Sequence, residues 1–421
     1  MKKNILSVLF LIFLTSFNIF ASQLPSDFSV FKPTETKQEE TTTAESTNAE
    51  NTNGFAINYG GSLNSDFVFS FYEGSELFFD NFEGLNLWLK LPLNKTCSSF
   101  LACEGEYKFS VSNSKDQGNL ISNILDLPLL KFVFNIPSEK INTVINLGRF
   151  YFADTTGLIF FQDIDGLFAD FKLEKTEFSF FAGYTGLANY MNANYFETPY
   201  VKEENIYVLS PSFLVASARL QFNIFNTQFI NTEFFASVDF GKLDYTKMYA
   251  TLAFNGAISQ NIFYILQSTL GMNLKSDGSE NLKLSNLSKI ELTSYFDFLN
   301  SSLSLGGIFA SAEGTSFDKF RPVTQIDASL IGKSFSSILK ASLLYTIKPI
   351  NSLFVSLGSD CICSITTNEN PLVFDGIQWE LSAKWQIVSD IYLALNGNQF
   401  ISFVEDNPNY FSTAIKFGFT F

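Results

Sequence analysis

The chain has 421 residues, with 42 acidic against 27 basic side chains and no histidine. The acidic charge and the lack of a basic patch exclude nucleic acid as a partner. Without histidine, Ser-His hydrolysis and His-based metal sites are excluded, so we expect no enzyme activity, no cofactor and no metal. Phenylalanine contributes 50 residues, yet no segment after the first 21 residues is long and apolar enough for a transmembrane helix. A large soluble β protein or a transmembrane barrel remains.

The first segment is typical of a secretory signal peptide, residues 1–21. Lys2 and Lys3 form its basic start, an apolar run follows from Ile5, and Ala21 is a small residue suited to cleavage. An uncleaved membrane anchor is the alternative. The segment predicts export through an oxidising compartment.

Residues 22–54 are rich in threonine, glutamate and asparagine, with almost no apolar residue after Phe31. Such a composition cannot bury enough apolar surface to order itself, so we predict a disordered periplasmic leader. It is either a tether to peptidoglycan or another protein, or a spacer, and we favour the spacer.

From residue 55 to the end, apolar and polar side chains alternate, which predicts strands because successive side chains point to opposite faces. The stretches "IQWELSAKWQI" (377–387) and "LVASARLQFNI" (214–224) illustrate it. A soluble sandwich also alternates. Here, however, the apolar face is continuously aromatic, and the polar face carries charges of both signs in mid-strand. We therefore predict an all-β fold, a transmembrane antiparallel up-and-down β-barrel spanning residues 55–421.

Short and long connections alternate along this region, as they do in outer-membrane barrels. If residues 322–348 form one long strand, the count is 18 and both ends lie on the periplasmic side. We predict about 16–18 strands, a size whose interior is an aqueous channel.

The last residues, "FSTAIKFGFTF", resemble the C-terminal strand of bacterial outer-membrane proteins, and the alternation over 55–421 resembles porins. The resemblance implies that Ile415, Phe417, Phe419 and Phe421 form the signal recognised by the barrel assembly machinery. It also implies an outer-membrane location, contact with outer-membrane lipid and assembly as a homotrimer.

A second resemblance concerns "INLGRFYFADTTGLIFFQDIDGLFADF", residues 145–171. It is similar to the porin segment whose loop, between the fifth and sixth strands, folds into the channel. The resemblance implies acidic loop residues facing basic wall residues at a constriction. The candidate pore-lining residues are Arg149, Asp163, Asp165, Arg219, Glu380, Lys384 and Lys416. In the simpler alternative, Asp163 and Asp165 are solvated loop carboxylates and Arg219 pairs with a neighbouring wall residue such as Glu233 or Asp239.

The four cysteines form two sequence pairs. Cys97 and Cys103 can close a small loop by a disulfide, whereas Cys361 and Cys363 are too close for an unstrained one. Their spacing does not match a zinc site.

These features predict an outer-membrane porin for passive diffusion of small hydrophilic solutes, with an acidic, cation-favouring lumen. The alternative is a surface-exposed binding, adhesion or structural protein, in which the barrel is an anchor and loops such as 187–211 make the contacts. An open lumen favours the first function, and a lumen filled by large side chains favours the second.

Overall fold

The computed structural model describes residues 57–73, 77–114, 118–193, 195, 206–225, 227–240, 246–274, 284–314, 317–366, 372–404 and 407–421. The predicted signal peptide and leader lie outside these residues, so both stay predictions.

The described residues form a single antiparallel sheet of 18 strands, within the predicted range. The strands are β1 (Asn58–Tyr72), β2 (Leu77–Pro92), β3 (Phe100–Ser114), β4 (Gly118–Ile136), β5 (Asn142–Ala153), β6 (Phe161–Lys172), β7 (Thr176–Tyr184), β8 (Phe213–Phe225), β9 (Gln228–Asp239), β10 (Thr246–Ser259), β11 (Ile262–Leu274), β12 (Leu284–Phe296), β13 (Ser301–Ala310), β14 (Ile338–Ile350), β15 (Leu353–Ile365), β16 (Leu372–Val388), β17 (Ile391–Ser402) and β18 (Tyr410–Thr420).

The sheet closes on itself, because each strand pairs with the next and β18 pairs with β1. In the closing pair Leu63 lies opposite Phe419 and Phe67 opposite Ile415. Backbone hydrogen bonds of 2.9 and 3.0 Å between Gly61 and Phe421 end the seam. This closure confirms the predicted barrel, and it removes the aggregation hazard of an apolar edge strand at β18.

Side chains alternate between the two faces of the barrel wall as predicted. On β18, Phe411 and Phe417 are 49% and 43% exposed, whereas the intervening Ser412 and Ala414 are buried. The exposed row faces outward toward lipid, and the residues between them face the lumen. Among the described helices, none is long and apolar enough to cross a bilayer.

Short turns define one mouth of the barrel and long connections the other. The turns 260–261, 351–352 and 389–390 lie at the mouth where β1 begins and β18 ends. By the usual asymmetry of such barrels this mouth is periplasmic. The longest connections, 185–212 and 311–337, lie at the opposite, extracellular mouth.

The prediction of one strand over residues 322–348 is wrong, although the count of 18 is right. Strand β14 begins only at Ile338, and residues 311–337 form a connection between β13 and β14. Phe320, Val323 and Phe335 are apolar because they are buried against inward-facing side chains of the wall. Because these positions are buried, the sequence of this connection is apolar enough to resemble a strand, although the residues do not form one.

Candidate pore and its constriction

Two extracellular connections fold into the lumen and define the candidate constriction, and a third completes the wall beside them. We name them the tip (154–160, between β5 and β6), the ribbon (185–193 with 206–212, between β7 and β8) and the inner loop (311–337, between β13 and β14). Each is held by specific side chains of the wall.

The tip is fastened to the nearby wall strands β8 and β9 by an ion pair. Arg219 on β8 donates Nε–H to Glu233 Oε1 on β9 at 2.8 Å. The other oxygen of Glu233 accepts the backbone N–H of Thr155 at 2.5 Å. The Arg219 guanidinium also donates to the carbonyl of Ala153 and lies 4.7 Å from the ring centre of Phe152. The pairing of Arg219 with Glu233 is the alternative that the sequence left open.

Asp154 organises the tip from within. Its Oδ1 accepts the N–H groups of Ile159 and Phe160 at 3.0 and 2.9 Å, and its Oδ2 accepts that of Thr156 at 2.7 Å. The side chain is buried. Burial and the nearby negative charge of Glu233 raise the pKa of the Asp154 carboxyl, against the opposing effect of these hydrogen bonds.

The inner loop packs on the tip and on the wall behind it. The carbonyl of Ile159 accepts the N–H groups of Val323 and Thr324 at 2.8 and 3.0 Å. Lys247 on β10 donates Nζ–H to the carbonyl of Pro322 at 2.9 Å. The surrounding cluster is buried and aromatic, with members Phe152, Phe160, Phe181, Phe235, Tyr249 and Phe320. This side of the extracellular half of the lumen is therefore filled.

A buried ion pair holds the other end of the inner loop. Lys340 on β14 lies 3.0 Å from Asp360 on β15, and both side chains are fully buried. Lys340 also donates Nζ–H to the carbonyl of Ala328 at 2.9 Å. Gln378 on β16 donates to Asp360 at 2.7 Å and accepts the N–H of Leu330 at 2.9 Å. Lys340 and Asp360 were not among the residues predicted from the sequence, although both lie on inward-facing positions.

The barrel wall is split between the extracellular halves of β4 and β5. Their pairing runs from Ile136–Thr143 only as far as Leu130–Arg149. Beyond that point, β3 is the only strand that pairs with residues 118–129 of β4, and β6 is the only one that pairs with residues 150–153 of β5. Leu125 of β4 donates its N–H to the carbonyl of Ile206 in the 206–212 segment at 3.1 Å. Gly148 sits at the fork with a φ of +121°, and an added Cβ would lie 2.1 Å from the carbonyl oxygen of Leu130. Only glycine suits this position.

The ribbon fills this split, and Arg149 connects the ribbon to β4 and β6 on either side of the split. Arg149 forms a two-pronged contact with Asp165 on β6, at 3.0 and 2.7 Å. It also donates to the carbonyls of Leu127 on β4 (3.4 Å) and Leu187 in the ribbon (2.7 Å), and to Tyr207 Oη at 2.9 Å. Arg149 is therefore buried in the wall, and all five N–H groups of its guanidinium form hydrogen bonds.

Asp163 and Asp165 lie on β6, not in the loop where they were predicted. They occupy the opposite face of the β5–β6 hairpin from Phe150 and Phe152 and are covered by the ribbon. Asp163 borders a small cavity at the split that is also lined by Asp126, Arg149 and Asn192. The predicted loop is shorter than expected because strand pairing extends to Phe161.

The remaining predicted pore residues lie on inward-facing positions. Lys416 on β18 forms an ion pair with Asp66 on β1 at 2.9 Å. Lys384 on β16 lies 4.2 Å from the ring centre of Tyr392 on β17. Glu380, four residues before Lys384, is buried beside Gln378. Whether these groups contact a passing solute stays a prediction.

The lumen along β1–β3 differs from the filled side. Phe82 and Trp88 on β2 share the inward face with Asp80, yet they are 46% and 43% exposed. Lys108 on the inward face of β3 has a side chain that is 44% exposed. These large side chains point into the barrel, yet they remain in contact with solvent. The lumen beside them is therefore open.

The cysteines form no disulfide in the structure. Cys97 lies in the β2–β3 turn and Cys103 on β3, and both are free, as are Cys361 and Cys363. The predicted bridge between Cys97 and Cys103 is therefore not formed there. In the part of the chain that the structure describes, no group of three or more acidic or cysteine side chains is arranged to hold a metal ion.

Comparison with known proteins identifies the fold. No protein-family model and no curated protein sequence matches the chain. Solved barrels do. Acinetobacter baumannii OccAB4 matches with a TM-score of 0.59 at 9% identity, over 88% of this chain and 100% of that one. Pseudomonas aeruginosa OccK2 (OpdF), solved with glucuronate, matches with a TM-score of 0.59 at 10% identity, over 87% and 99%.

A third match is Pseudomonas aeruginosa OpdK, solved with vanillate, with a TM-score of 0.57 at 11% identity, over 87% of this chain and 100% of that one. At such identities the likeness establishes the fold and nothing finer. It lends no support to the homotrimer. The chain is an 18-strand outer-membrane β-barrel whose fold resembles that of the Occ proteins of Pseudomonas and Acinetobacter.

Proposed function

We propose that this barrel is a channel for passive diffusion of small hydrophilic solutes across the outer membrane. The observation that carries the proposal is the exposure of Phe82 and Trp88 on the inward face of β2. A barrel that served only as an anchor would bury such side chains. The glucuronate and vanillate bound by two barrels of the same fold support a small-solute role.

The constriction is off-centre. The tip and the inner loop fill the extracellular half of the lumen on the side of β8–β16, which leaves a passage along β1–β3. The described parts of the ribbon are used in the wall itself, which favours a channel over a protein whose loops act only as an outward-facing binding surface.

We further propose a preference for cations. In the extracellular half, Asp80 on β2 and Glu106 on β3 occupy inward-facing positions, and Lys108 is the basic neighbour of Glu106. Fixed negative charge at a narrow entrance raises the local concentration of cations. The charge difference is small, so the selectivity is expected to be modest and sensitive to ionic strength.

The test is single-channel conductance of the refolded protein in a planar bilayer, with the reversal potential measured under a salt gradient. Stable steps with a cation-selective reversal potential are expected. The change Asp80→Asn should move the reversal potential toward zero. The matched control is Asp390→Asn in the exposed β16–β17 turn, which should leave it unchanged. A folded barrel that passes no current would exclude the channel function.

A further inference from the structure

Three aromatic side chains follow one another down β2 on the inner face of the passage. We name them the ring track: Phe78, Phe82 and Trp88. They share the face of Asp80, as strand alternation requires. Successive members are four and six residues apart, which is about 13 and 20 Å along a strand. The ring track therefore extends over most of β2, from its extracellular end toward its periplasmic end.

The indole of Trp88 rests on the wall and remains open to the lumen. Its register partner on β1 is Gly60, and a Cβ added there would lie 2.7 Å from Cζ2 of the indole and 2.9 Å from Cε2. The ring therefore leans across Gly60, into space that any larger residue would occupy. Since Trp88 is still 43% exposed, its remaining surface is available to a solute in the passage.

The ring of Phe82 is the most exposed of the three, at 46%. At the extracellular end Phe78 belongs to a larger aromatic surface, because the ring centre of Tyr72 lies 6.1 Å away and that of Tyr410 lies 4.7 Å from Tyr72. A solute that enters along β1–β3 thus meets aromatic surface at the mouth and again at two positions below it.

Charged side chains beside the ring track are paired with one another. Asp66 is the register neighbour of Phe82 on β1 and forms an ion pair with Lys416 on β18 at 2.9 Å. Glu106 on β3 forms one with Lys108 at 2.8 Å. A paired carboxylate keeps lone pairs that accept hydrogen bonds from hydroxyl groups, but the neighbouring lysine weakens its attraction for a charged solute.

Amide side chains lie between the second and third rings. Asn86 is on the inner face of β2, two residues before Trp88. Asn64 on β1 lies opposite Gly84, and Tyr392 donates Oη–H to Asn64 Oδ1 at 3.2 Å. An amide both donates and accepts hydrogen bonds, as a hydroxyl does, so these groups suit a ligand rich in hydroxyls.

A chain of uncharged sugar rings fits this arrangement. The face of an aromatic ring carries partial negative charge, which attracts the C–H groups on the flat side of a pyranose. The hydroxyls at the edge of the same pyranose can bond to the carboxylates and amides beside the ring track. A compact aromatic solute would be held best between two facing rings, whereas these rings stand in series. A series of rings suits a ligand that repeats its own structure.

We propose that the ring track binds linear oligosaccharides, which makes such sugars the substrate class of the channel. The inference rests on the proposed function, because the ligand must enter a water-filled lumen. Several linked sugar rings are needed to contact both Phe82 and Trp88. Affinity should therefore rise with the length of the oligosaccharide.

Tryptophan fluorescence of the refolded barrel in detergent reports this binding. Of the three tryptophans, Trp88 faces the lumen, whereas Trp379 and Trp385 alternate with the inward-facing Glu380 and Lys384 on β16 and face the detergent. The probes are maltohexaose and cellohexaose, with maltose and 4-hydroxybenzoate for comparison. We expect a saturable change in emission with at least one hexasaccharide, and an affinity about tenfold above that of maltose because two rings are contacted at once.

Phe82→Leu removes one ring of the track and leaves Trp88 as the reporter. It should weaken hexasaccharide binding by about tenfold, because one aromatic contact is lost. The matched control is Phe263→Leu, which removes an inward-facing ring on β11 that is 40% exposed and lies outside the track. The control should keep the parent's affinity. Trp88→Leu, followed by calorimetry, provides a second test, and heat-modifiable migration on gels verifies that each variant is folded.

Three results would overturn the proposal: no emission change with either hexasaccharide, tighter binding of 4-hydroxybenzoate than of both, or equal losses in Phe82→Leu and Phe263→Leu. Binding in detergent does not depend on current. Conductance without hexasaccharide binding would therefore exclude sugars as the substrates and leave the channel function standing. Hexasaccharide binding without conductance would contradict the channel function instead.

Discussion

Arg219 and Glu233 face each other across β8 and β9 at 2.8 Å, and together they hold a segment that belongs to neither strand. Glu233 accepts the N–H of Thr155, and Arg219 donates to the carbonyl of Ala153. A wall ion pair thus sets the position of the tip. Hydrogen bonds to charged groups contribute about 1.5–3 kcal/mol each, so this pair adds directly to the packing that holds the tip.

We expect Glu233→Gln to release the tip and widen the passage. The substitution keeps the shape of the side chain, but it removes the charge that pairs with Arg219 and weakens the bond to Thr155. Single-channel conductance should rise, and larger polyethylene glycols should enter the pore. The matched control is Glu177→Gln, an inward carboxylate on β7 that contacts Lys172 and Asp170. Unchanged conductance in Glu233→Gln would show that the tip is held by packing alone.

The strand pattern and the faces of individual strands were predictable from the sequence, because period-two alternation is a direct consequence of strand geometry. The face assignment of 214–224, including an inward Arg219, is confirmed by the exposure pattern of β8. Its partner Glu233 was also among the alternatives, since neighbouring strands bring opposite charges together.

The inward folding of residues 311–337 was not predictable in the same way. Phe320 and Phe335 are buried by contacts with residues distant in sequence, and a short apolar run carries no sign of which surface covers it. The role of Arg149 was hidden for a related reason. It depends on the split between β4 and β5, which arises from a positive φ at Gly148 that alternation does not reveal.

Lys340 and Asp360 form a buried ion pair, so we expect substitutions of the two residues to have non-additive effects on the free energy of unfolding. Lys340→Met leaves Asp360 buried without its partner and should lower the free energy of unfolding by about 3–5 kcal/mol. The double change Lys340→Met with Asp360→Leu should cost less than the single one. Urea unfolding in detergent, followed by heat-modifiable migration on gels, measures both. Additive losses in the double variant would contradict this coupling.

The tip should become more stable as the pH falls. Burial and the charge of Glu233 raise the pKa of Asp154, so the folded state binds this proton more tightly than the unfolded state, whose aspartate pKa is about 3.9. The contribution of Asp154 to the free energy of unfolding is therefore greatest below that value. It declines as the pH rises through the folded pKa.

Asp154→Asn should flatten this pH dependence between about pH 4 and the folded pKa, even though it lowers stability by weakening the bond from Thr156. Glu233→Gln should flatten it in part, because it removes the second cause of the shift. The measurement is urea unfolding of the three proteins across that range. A variant Asp154→Asn with the parent's full pH slope would exclude Asp154 as its source.

Gly148→Ala should disrupt the fork between β4 and β5. Its Cβ would lie 2.1 Å from the carbonyl oxygen of Leu130, and the φ of +121° is one that an alanine rarely adopts. Because Arg149 follows directly, displacement of the backbone also breaks the contacts that connect the ribbon to β4 and β6. Backbone strain alone costs about 1–3 kcal/mol, and the lost contacts add to it.

The control is Gly157→Ala in the tip, where φ is +66° and an added Cβ meets nothing within 4 Å. This substitution should lower the free energy of unfolding only by the strain of an alanine in the left-handed region, about 1–2 kcal/mol. Comparing the two variants by the temperature at which the folded band is lost on gels separates strain at the fork from the general cost of replacing a positive-φ glycine. If both variants lower this temperature equally, the backbone at Leu130 moves away from the added Cβ without a measurable loss of stability. In that case the ribbon and Arg149, and not the glycine, maintain the split in the wall.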